Sequence, residues 1–102
     1  MTQNEFKAYT DERNRQREAL SKEKGEAYAS QGDRFDNFKA RAALLGMTPM
    51  QVALCDMSKH VHRLVRFAKG IDRDTDGFAS RADDVIIYMQ LIDGMREEIE
   101  NA

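Results

Sequence analysis

The stretch TPMQVALCDMSKHVHRLVRFAKG, residues 48–70, carries the signals of one long helix with both ends marked. Thr48 and Gln51 have the spacing of a capping box, and Pro49 takes the first helical position, where its missing N–H costs nothing. Gly70 supplies a residue that is free to form a left-handed C-terminal cap. Between these ends, apolar residues recur three or four positions apart, which predicts one apolar stripe. The stripe comprises Met50, Ala53, Leu54, Met57, Val61, Leu64, Val65 and Ala68.

A second apolar stripe follows a short acidic loop, residues 71–78. Its members are Val85, Tyr88, Met89, Ile92, Met95 and Ile99. A short loop between two long helices favours antiparallel packing. Residues 48–101 are therefore predicted to form a long antiparallel helix hairpin, which is the centre of the fold.

The N-terminal half predicts two further helices. Residues 2–29 are predicted as a first helix, dense in charges of both signs, and residues 34–45 as a short second helix that ends at Gly46. The chain has a single proline and no alternation of apolar and polar residues that would indicate a strand. We expect one all-α domain over residues 1–102, a helical bundle built on the hairpin.

The composition of the chain limits which partners and which cellular compartment we expect for it. Sixteen Lys and Arg against eighteen Asp and Glu give a net charge of -2, so no basic excess indicates nucleic acid as a partner. A core built by 102 residues is limited, and we expect the chain to complete it as a homo-oligomer. No apolar run or signal-peptide pattern predicts a membrane segment or export, which favours the cytoplasm. Cys55 is the only cysteine, so it forms no internal disulfide, and its place in the helix predicts a small buried residue.

The acidic loop contains the spacing of a calcium site. Residues 72–83 read DRDTDGFASRAD, which places Asp72, Asp74 and Asp76 at positions one, three and five and Asp83 at position twelve. Glycine falls at position six, as in an EF-hand loop that binds Ca²⁺. Position eight is an alanine and position twelve is the shorter acid, which departs from the pattern. The alternative is a solvated acidic loop.

Three cations are predicted to share one side of the first hairpin helix. Lys59, Arg63 and Arg66 are spaced by four and three residues, and together they would bind an oligophosphate. Tyr28 and Phe35 are candidates to stack on a nucleotide base. The alternative is a solvated face, or ion pairs with the acidic loop.

The order of several short motifs resembles a known family, the small phage-encoded MazG-like proteins. These are relatives of the all-α nucleoside triphosphate pyrophosphohydrolases. The resemblance covers about residues 24 to 96. The motifs that carry it are GEAY (25–28), GDRFDNF (32–38), TPMQVAL (48–54), Lys59, RL (63–64) and DDVIIY (83–88).

The resemblance implies a metal site that this chain has largely lost. Active members are implied to hold Mg²⁺ through one helix bearing E-x-x-E and a later helix bearing E-x-x-D, because Mg²⁺ prefers an octahedral shell of oxygens. Here Asp56 stands where the first acidic pair would lie, and only Asp83 and Asp84 remain in the later helix. The resemblance therefore implies a nucleotide-binding fold with a degenerate metal site.

Three functions are consistent with these patterns. The first is a phage-type protein that binds or sequesters a nucleotide, such as a signal of host defence, without hydrolysing it. The second is an active Mg²⁺-dependent nucleoside triphosphate pyrophosphohydrolase, with Asp56, Asp83 and Asp84 as metal ligands and Glu26 as a further one. The third is a small helical phage protein that inhibits a host protein by direct contact. The missing carboxylates favour the first.

Overall fold

The computed structural model describes residues 1–28 and 32–102, except for the side chains of residues 26–28 and 76. Within this part of the chain every regular element is a helix and no strand occurs, so the all-α prediction is confirmed. No helix in it is long and apolar enough to cross a membrane. The elements are α1 (Gln3–Tyr28), α2 (Asp36–Leu45), α3 (Pro49–Ala68) and α4 (Thr75–Glu100).

The predicted start of α3 is confirmed atom by atom. The Gln51 backbone N–H donates to the Thr48 hydroxyl at 3.1 Å, and the Thr48 backbone N–H donates to the Gln51 side-chain carbonyl at 2.9 Å. This reciprocal pair satisfies two backbone donors that the helix itself leaves unpaired. Two residues before Thr48, Gly46 ends α2 with a φ of 67°, the left-handed conformation that favours glycine.

Helix α4 begins earlier than the sequence predicts. The predicted loop extends to residue 78, but the helix starts at Thr75, because the Asp74 carboxylate accepts a hydrogen bond from the Gly77 N–H at 3.0 Å and caps it. Residues 75–83, positions four to twelve of the calcium-type pattern, are therefore helical. The segment does not form the extended ligand loop of an EF-hand, which corrects that prediction.

The core lies where α2, α3 and α4 meet. Helices α3 and α4 pack closely, and α2 packs on α3. The buried hydrophobic residues of the described chain are Phe38, Ala42, Val52, Ala53, Ile87, Ile92 and Met95. Two carboxylates, Asp56 and Asp83, are buried as deeply, each 8% exposed. A buried charge requires a partner. Asp56 pairs with Arg41 of α2, and Asp83 pairs with Arg13 and Arg17 of α1.

The predicted stripe of α3 is divided between core and solvent. Ala53 is fully buried, whereas Leu54, Val61 and Val65 are 43%, 38% and 44% exposed. The stripe is therefore wider than the face that the neighbouring helices of the protomer cover. Cys55 is exposed as well, contrary to its predicted burial.

Helix α1 is attached mainly by charge. Arg13 and Arg17 both donate hydrogen bonds to Asp83 of α4. The aromatic residues near its start, Phe6 and Tyr9, are 54% and 53% exposed. Since α1 brings few apolar side chains to the bundle, these ion pairs determine where it lies.

Candidate functional site

All four helices converge on one polar cavity of about 240 Å³. Buried Phe38 and Ile87 supply part of the apolar lining, and five charged side chains face the same space. The described residues that line the cavity are Lys24, Arg34, Asn37, Phe38, Arg41, Asp56, His60, Asp84, Ile87, Tyr88 and Leu91. A cavity with convergent polar groups is the ordinary form of a small-molecule site.

One wall of the cavity is a bidentate ion pair between α2 and α3. Arg41 lies three residues after buried Phe38, and Asp56 lies three residues after buried Ala53, so each is presented beside the core. The two guanidinium Nη atoms of Arg41 donate to the two carboxylate oxygens of Asp56 at 2.6 and 2.8 Å. These hydrogen bonds hold the pKa of Asp56 below its usual 3.8 despite its burial. Asp56 is therefore a carboxylate already satisfied by a cation.

A second part of the cavity wall joins α1, α3 and α4 through Asp84. Lys24 Nζ lies 2.8 Å from one carboxylate oxygen of Asp84, and His60 Nδ1 lies 3.4 Å from the other. Arg81 Nη1 lies 3.1 Å from the same His60 nitrogen. His60 Nδ1 thus lies between a group that only donates, the Arg81 guanidinium, and one that accepts, the Asp84 carboxylate.

His60 is held in its neutral form. Burial lowers the pKa of His60 below its usual 6.5, and the nearby cations, led by Arg81, lower it further, while Asp84 opposes them. A neutral imidazole packs on an aromatic ring without the cost of burying a charge. Its ring stacks on Tyr88 with centroids 5.7 Å apart and planes at 30°.

Aromatic rings continue from this stack into the core. Phe38 meets Tyr88 edge to face, with centroids 6.3 Å apart and planes at 77°. Tyr88 therefore has its ring fixed by His60 and by Phe38. The cavity combines a rigid aromatic wall with charged groups.

The charges of the cavity favour an anion. Among the described lining residues, Lys24, Arg34 and Arg41 outnumber Asp56 and Asp84 by one positive charge when His60 is neutral. Within the described residues, Arg34 has no ion-pair partner. Among the described side chains it is therefore the cavity cation that no carboxylate holds.

Arg34 also lines a wider groove of about 940 Å³ beside the cavity. Arg17 and Lys22 of α1 line this groove together with Glu18. The shared arginine connects the two spaces. A ligand longer than the cavity could therefore continue along a surface where cations outnumber carboxylates.

The cations predicted from the sequence lie elsewhere. Arg66 is held by Asp72 of the acidic loop through hydrogen bonds of 3.0 and 3.2 Å, which is the ion-pair alternative. Lys59 and Arg63 are exposed on α3, and Arg63 lines a separate groove near Phe67. None of these three cations lines the cavity.

Two aromatic residues, Tyr28 and Phe35, are predicted to stack on a base, and the structure describes the side chain of Phe35 only. Phe35 is partly buried and packs on the core, and a Cβ placed on Gly94 would lie 3.0 Å from its ring. Its ring is thus engaged in packing. The side chain of Tyr28 lies outside the described residues.

The predicted metal-binding carboxylates do not converge. Asp72 pairs with Arg66, Asp74 caps α4, and Asp83 pairs with two arginines of α1, while the Asp76 side chain lies outside the described residues. Among the described residues, no group of three or more His, Cys, Asp or Glu could hold a metal ion.

The magnesium site implied by the resemblance does not fit the side chains that are described. Asp56 and Asp84 do line one cavity, but each already carries a cation, Arg41 and Lys24 respectively. Mg²⁺ requires several free oxygen ligands in octahedral geometry. The cations occupy the carboxylates that such a site would use.

Sequence reasoning missed Lys24, Arg34 and Arg41 as site residues. Arg41 had one local signal, because it follows buried Phe38 by three residues and so emerges next to the core. Its partner Asp56 is fifteen residues away, and nothing local identifies that pairing.

Comparisons with known proteins add no relative. No family model matches the chain, and neither a curated protein nor a solved structure matches it. The likeness to MazG-like proteins is carried by the motifs quoted above alone.

Proposed function

We propose that the protein binds a nucleotide in the cavity between its four helices and does not hydrolyse it. The observation that carries this proposal is the grouping of Lys24, Arg34 and Arg41 around the ring pair of His60 and Tyr88. Cationic side chains bind phosphate oxygens through charge-assisted hydrogen bonds, and aromatic faces stack on bases. A nucleotide is the ligand class that uses both.

The cations of the cavity remain available although two of them are paired. The side chains of Lys24 and Arg41 are 39% and 40% exposed, whereas those of their partners Asp84 and Asp56 are 13% and 12% exposed. The pairs thus present their positive ends to solvent. An ammonium has three donors and a guanidinium five, so each retains donors for a phosphate while it keeps its carboxylate.

The size of the cavity suggests which part of the nucleotide lies inside it and which part lies in the neighbouring groove. Its volume of about 240 Å³ is below the roughly 300–1,000 Å³ of sites that enclose whole drug-sized ligands. It would suit a base against Tyr88. The phosphates would then extend past Arg34 into the neighbouring groove, where Arg17 and Lys22 lie.

An active pyrophosphohydrolase is the second candidate. The observation that favours it is that Asp56 and Asp84 face one cavity, as metal ligands from two helices would. Their ion pairs with Arg41 and Lys24 support binding over hydrolysis, because a metal would have to displace both cations.

The scaffold of this site is proposed to be an antiparallel hairpin. Phe67 packs on Phe78 near the connection between α3 and α4, with centroids 4.7 Å apart, and His60 stacks on Tyr88 farther from it. This order of contacts supports the prediction. We also propose that the protein self-associates and lies in the cytoplasm. That compartment contains nucleotides and keeps an unpaired cysteine reduced.

The test is to identify what the protein retains. Purified protein is incubated with nucleoside triphosphates, deoxynucleoside triphosphates and cyclic oligonucleotides in the presence of Mg²⁺, and bound and free fractions are analysed by mass spectrometry. Intact nucleotide in the bound fraction is the expected result, and its identity would decide whether a host-defence signal is the ligand. Monophosphate with pyrophosphate in the free fraction would support the enzyme instead. Retention of no nucleotide would contradict both.

A further inference from the structure

One face of α3 is exposed, apolar and uncharged. Leu54, Ser58, Val61, Val65 and Ala68 follow one another at spacings of four, three, four and three residues, so they lie on a single face. All five are exposed. The Ser58 hydroxyl donates to the Cys55 backbone carbonyl at 2.6 Å, so its donor is satisfied within the helix. The face therefore has no charged group and no side-chain donor that needs a hydrogen bond to water.

This face is separate from the proposed ligand cavity. Asp56 and His60, which line the cavity, lie on the opposite side of α3 by the helical repeat of 3.6 residues. Lys59 and Arg63 also point well away from the apolar face. A partner seated on the face would leave the cavity open and would meet no charge at its centre.

The chain exposes more surface than a monomer of its size. Its accessible surface is 7378 Å² for a mass of 11.7 kDa. A folded monomer of this mass is expected to expose about 5,900 Å², an excess here of about 1,500 Å². A standard stable interface buries about 800 Å² on each partner. The excess belongs to the whole chain, and it exceeds the area that one such interface would bury on each protomer.

We propose that this face of α3 is the interface of a symmetric homodimer, in which the face of one protomer packs on the same face of its partner. A second copy is the occupant because the face is neutral and apolar, and a symmetric contact places a surface against itself. Ser58 and Ala68 are small, so the two helices can approach closely. The dimer buries Leu54, Val61 and Val65, the part of the predicted stripe that the protomer leaves in solvent.

Sedimentation equilibrium of the full chain over a range of concentrations tests the proposal. The wild type is expected at twice the mass of 11.7 kDa. Val61→Glu and, separately, Val65→Lys place like charges against each other in the interface, which should raise the dimer Kd at least about 100-fold. Both positions are exposed in the protomer, so the helical circular dichroism spectrum should not change.

Met89→Glu is the matched control, because Met89 is 48% exposed on α4 and lies outside the proposed interface. It should remain a dimer. A wild type that sediments as a single chain at every concentration would overturn the proposal. So would a Val61→Glu variant that keeps the wild-type Kd, or a Met89→Glu variant that dissociates while Val61→Glu does not.

Discussion

Arg17 Nε in α1 donates a hydrogen bond to Asp83 Oδ1 in α4 over 2.9 Å, and this contact ties the first helix to the bundle. Arg13 donates to the same oxygen at 2.5 Å. The side chains of Asp83, Arg13 and Arg17 are only 12%, 17% and 13% exposed. Charges so shielded from water interact more strongly than surface pairs do. Asp83 thus positions the part of α1 near Arg13 and Arg17, and Asp84 holds Lys24 farther along the same helix.

Removal of that carboxylate should loosen the attachment of α1 to α4, while Lys24 keeps its bond to Asp84. In Asp83→Ala, Arg13 and Arg17 lose their shared acceptor, and we expect a loss of about 2–3 kcal/mol in the free energy of unfolding, since breaking a buried pair strands its charges. Urea denaturation measures the loss, and hydrogen exchange should show faster exchange along α1 with little change in α3.

Asp11→Ala is the control for that experiment. Asp11 pairs with Lys7 on the same helix, and their side chains are 52% and 74% exposed. Such solvent-exposed pairs contribute little to stability, because water screens them. Equal losses in the two variants would contradict the role given to Asp83.

The Arg41–Asp56 pair should make the protein sensitive to acid. The pKa of Asp56 is lower in the folded chain than its usual 3.8, so the pair contributes stability above that pH and loses it as pH falls through the folded pKa. Arg41→Met should cost about 1–3 kcal/mol near pH 7, because a buried carboxylate is left unpaired. Urea denaturation near pH 7 and near pH 3 should show this cost shrinking in acid. A cost that is independent of pH would contradict the assignment.

His60 should also reduce stability in acid, but at higher pH than Asp56. Its pKa is below 6.5 in the folded chain, so the unfolded chain takes up a proton first, and stability falls as pH drops from 6.5 toward the folded pKa. The slope should stay below about 1.4 kcal/mol per pH unit. His60→Gln should flatten it, with exposed His62→Gln as the matched variant. An NMR titration of His60 that gave a pKa at or above 6.5 would contradict the burial argument.

Gly94 and Phe35 should be energetically coupled. Alanine in place of glycine inside a helix gains about 1 kcal/mol, but a Cβ at Gly94 would lie 3.0 Å from Phe35 Cζ. Moving a packed ring costs about 1–3 kcal/mol. Gly94→Ala should therefore destabilise the wild type and stabilise a Phe35→Leu background. Thermal unfolding of the four proteins in this double-mutant cycle measures the coupling, and equal effects in both backgrounds would show that the ring is free to move.

The local parts of the fold could be predicted from the sequence. The capping box at Thr48 and Gln51 and the left-handed Gly46 involve residues within a few positions of each other, so a short pattern contains the whole interaction. The cap at Asp74 is equally local. It was missed because the glycine at residue 77 also fits a calcium-loop pattern.

The site could not be predicted in the same way. Sixteen cations and eighteen acids allow many pairings, and the pairs Arg41–Asp56 and Lys24–Asp84 are chosen by helix packing over fifteen and sixty residues. Periodicity found the apolar residues of α3 but not which of them face the core. Leu54 and Ala53 are adjacent in the same stripe, yet one is 43% exposed and the other fully buried.

The most direct test of the proposed function compares two arginines. Isothermal titration with the nucleotide retained in the mass-spectrometry experiment is run on the wild type, on Arg34→Gln and on Arg63→Gln. Arg34 lines the cavity without an ion-pair partner in the described chain, so its loss strands no carboxylate there, and Arg63 is an exposed arginine outside the cavity. We predict that Arg34→Gln weakens binding at least about tenfold, as loss of a charged hydrogen bond requires, and that Arg63→Gln binds like the wild type. Unchanged affinity in Arg34→Gln, with weakened binding in Arg63→Gln, would contradict the cavity and place the ligand on the exposed face of Lys59 and Arg63.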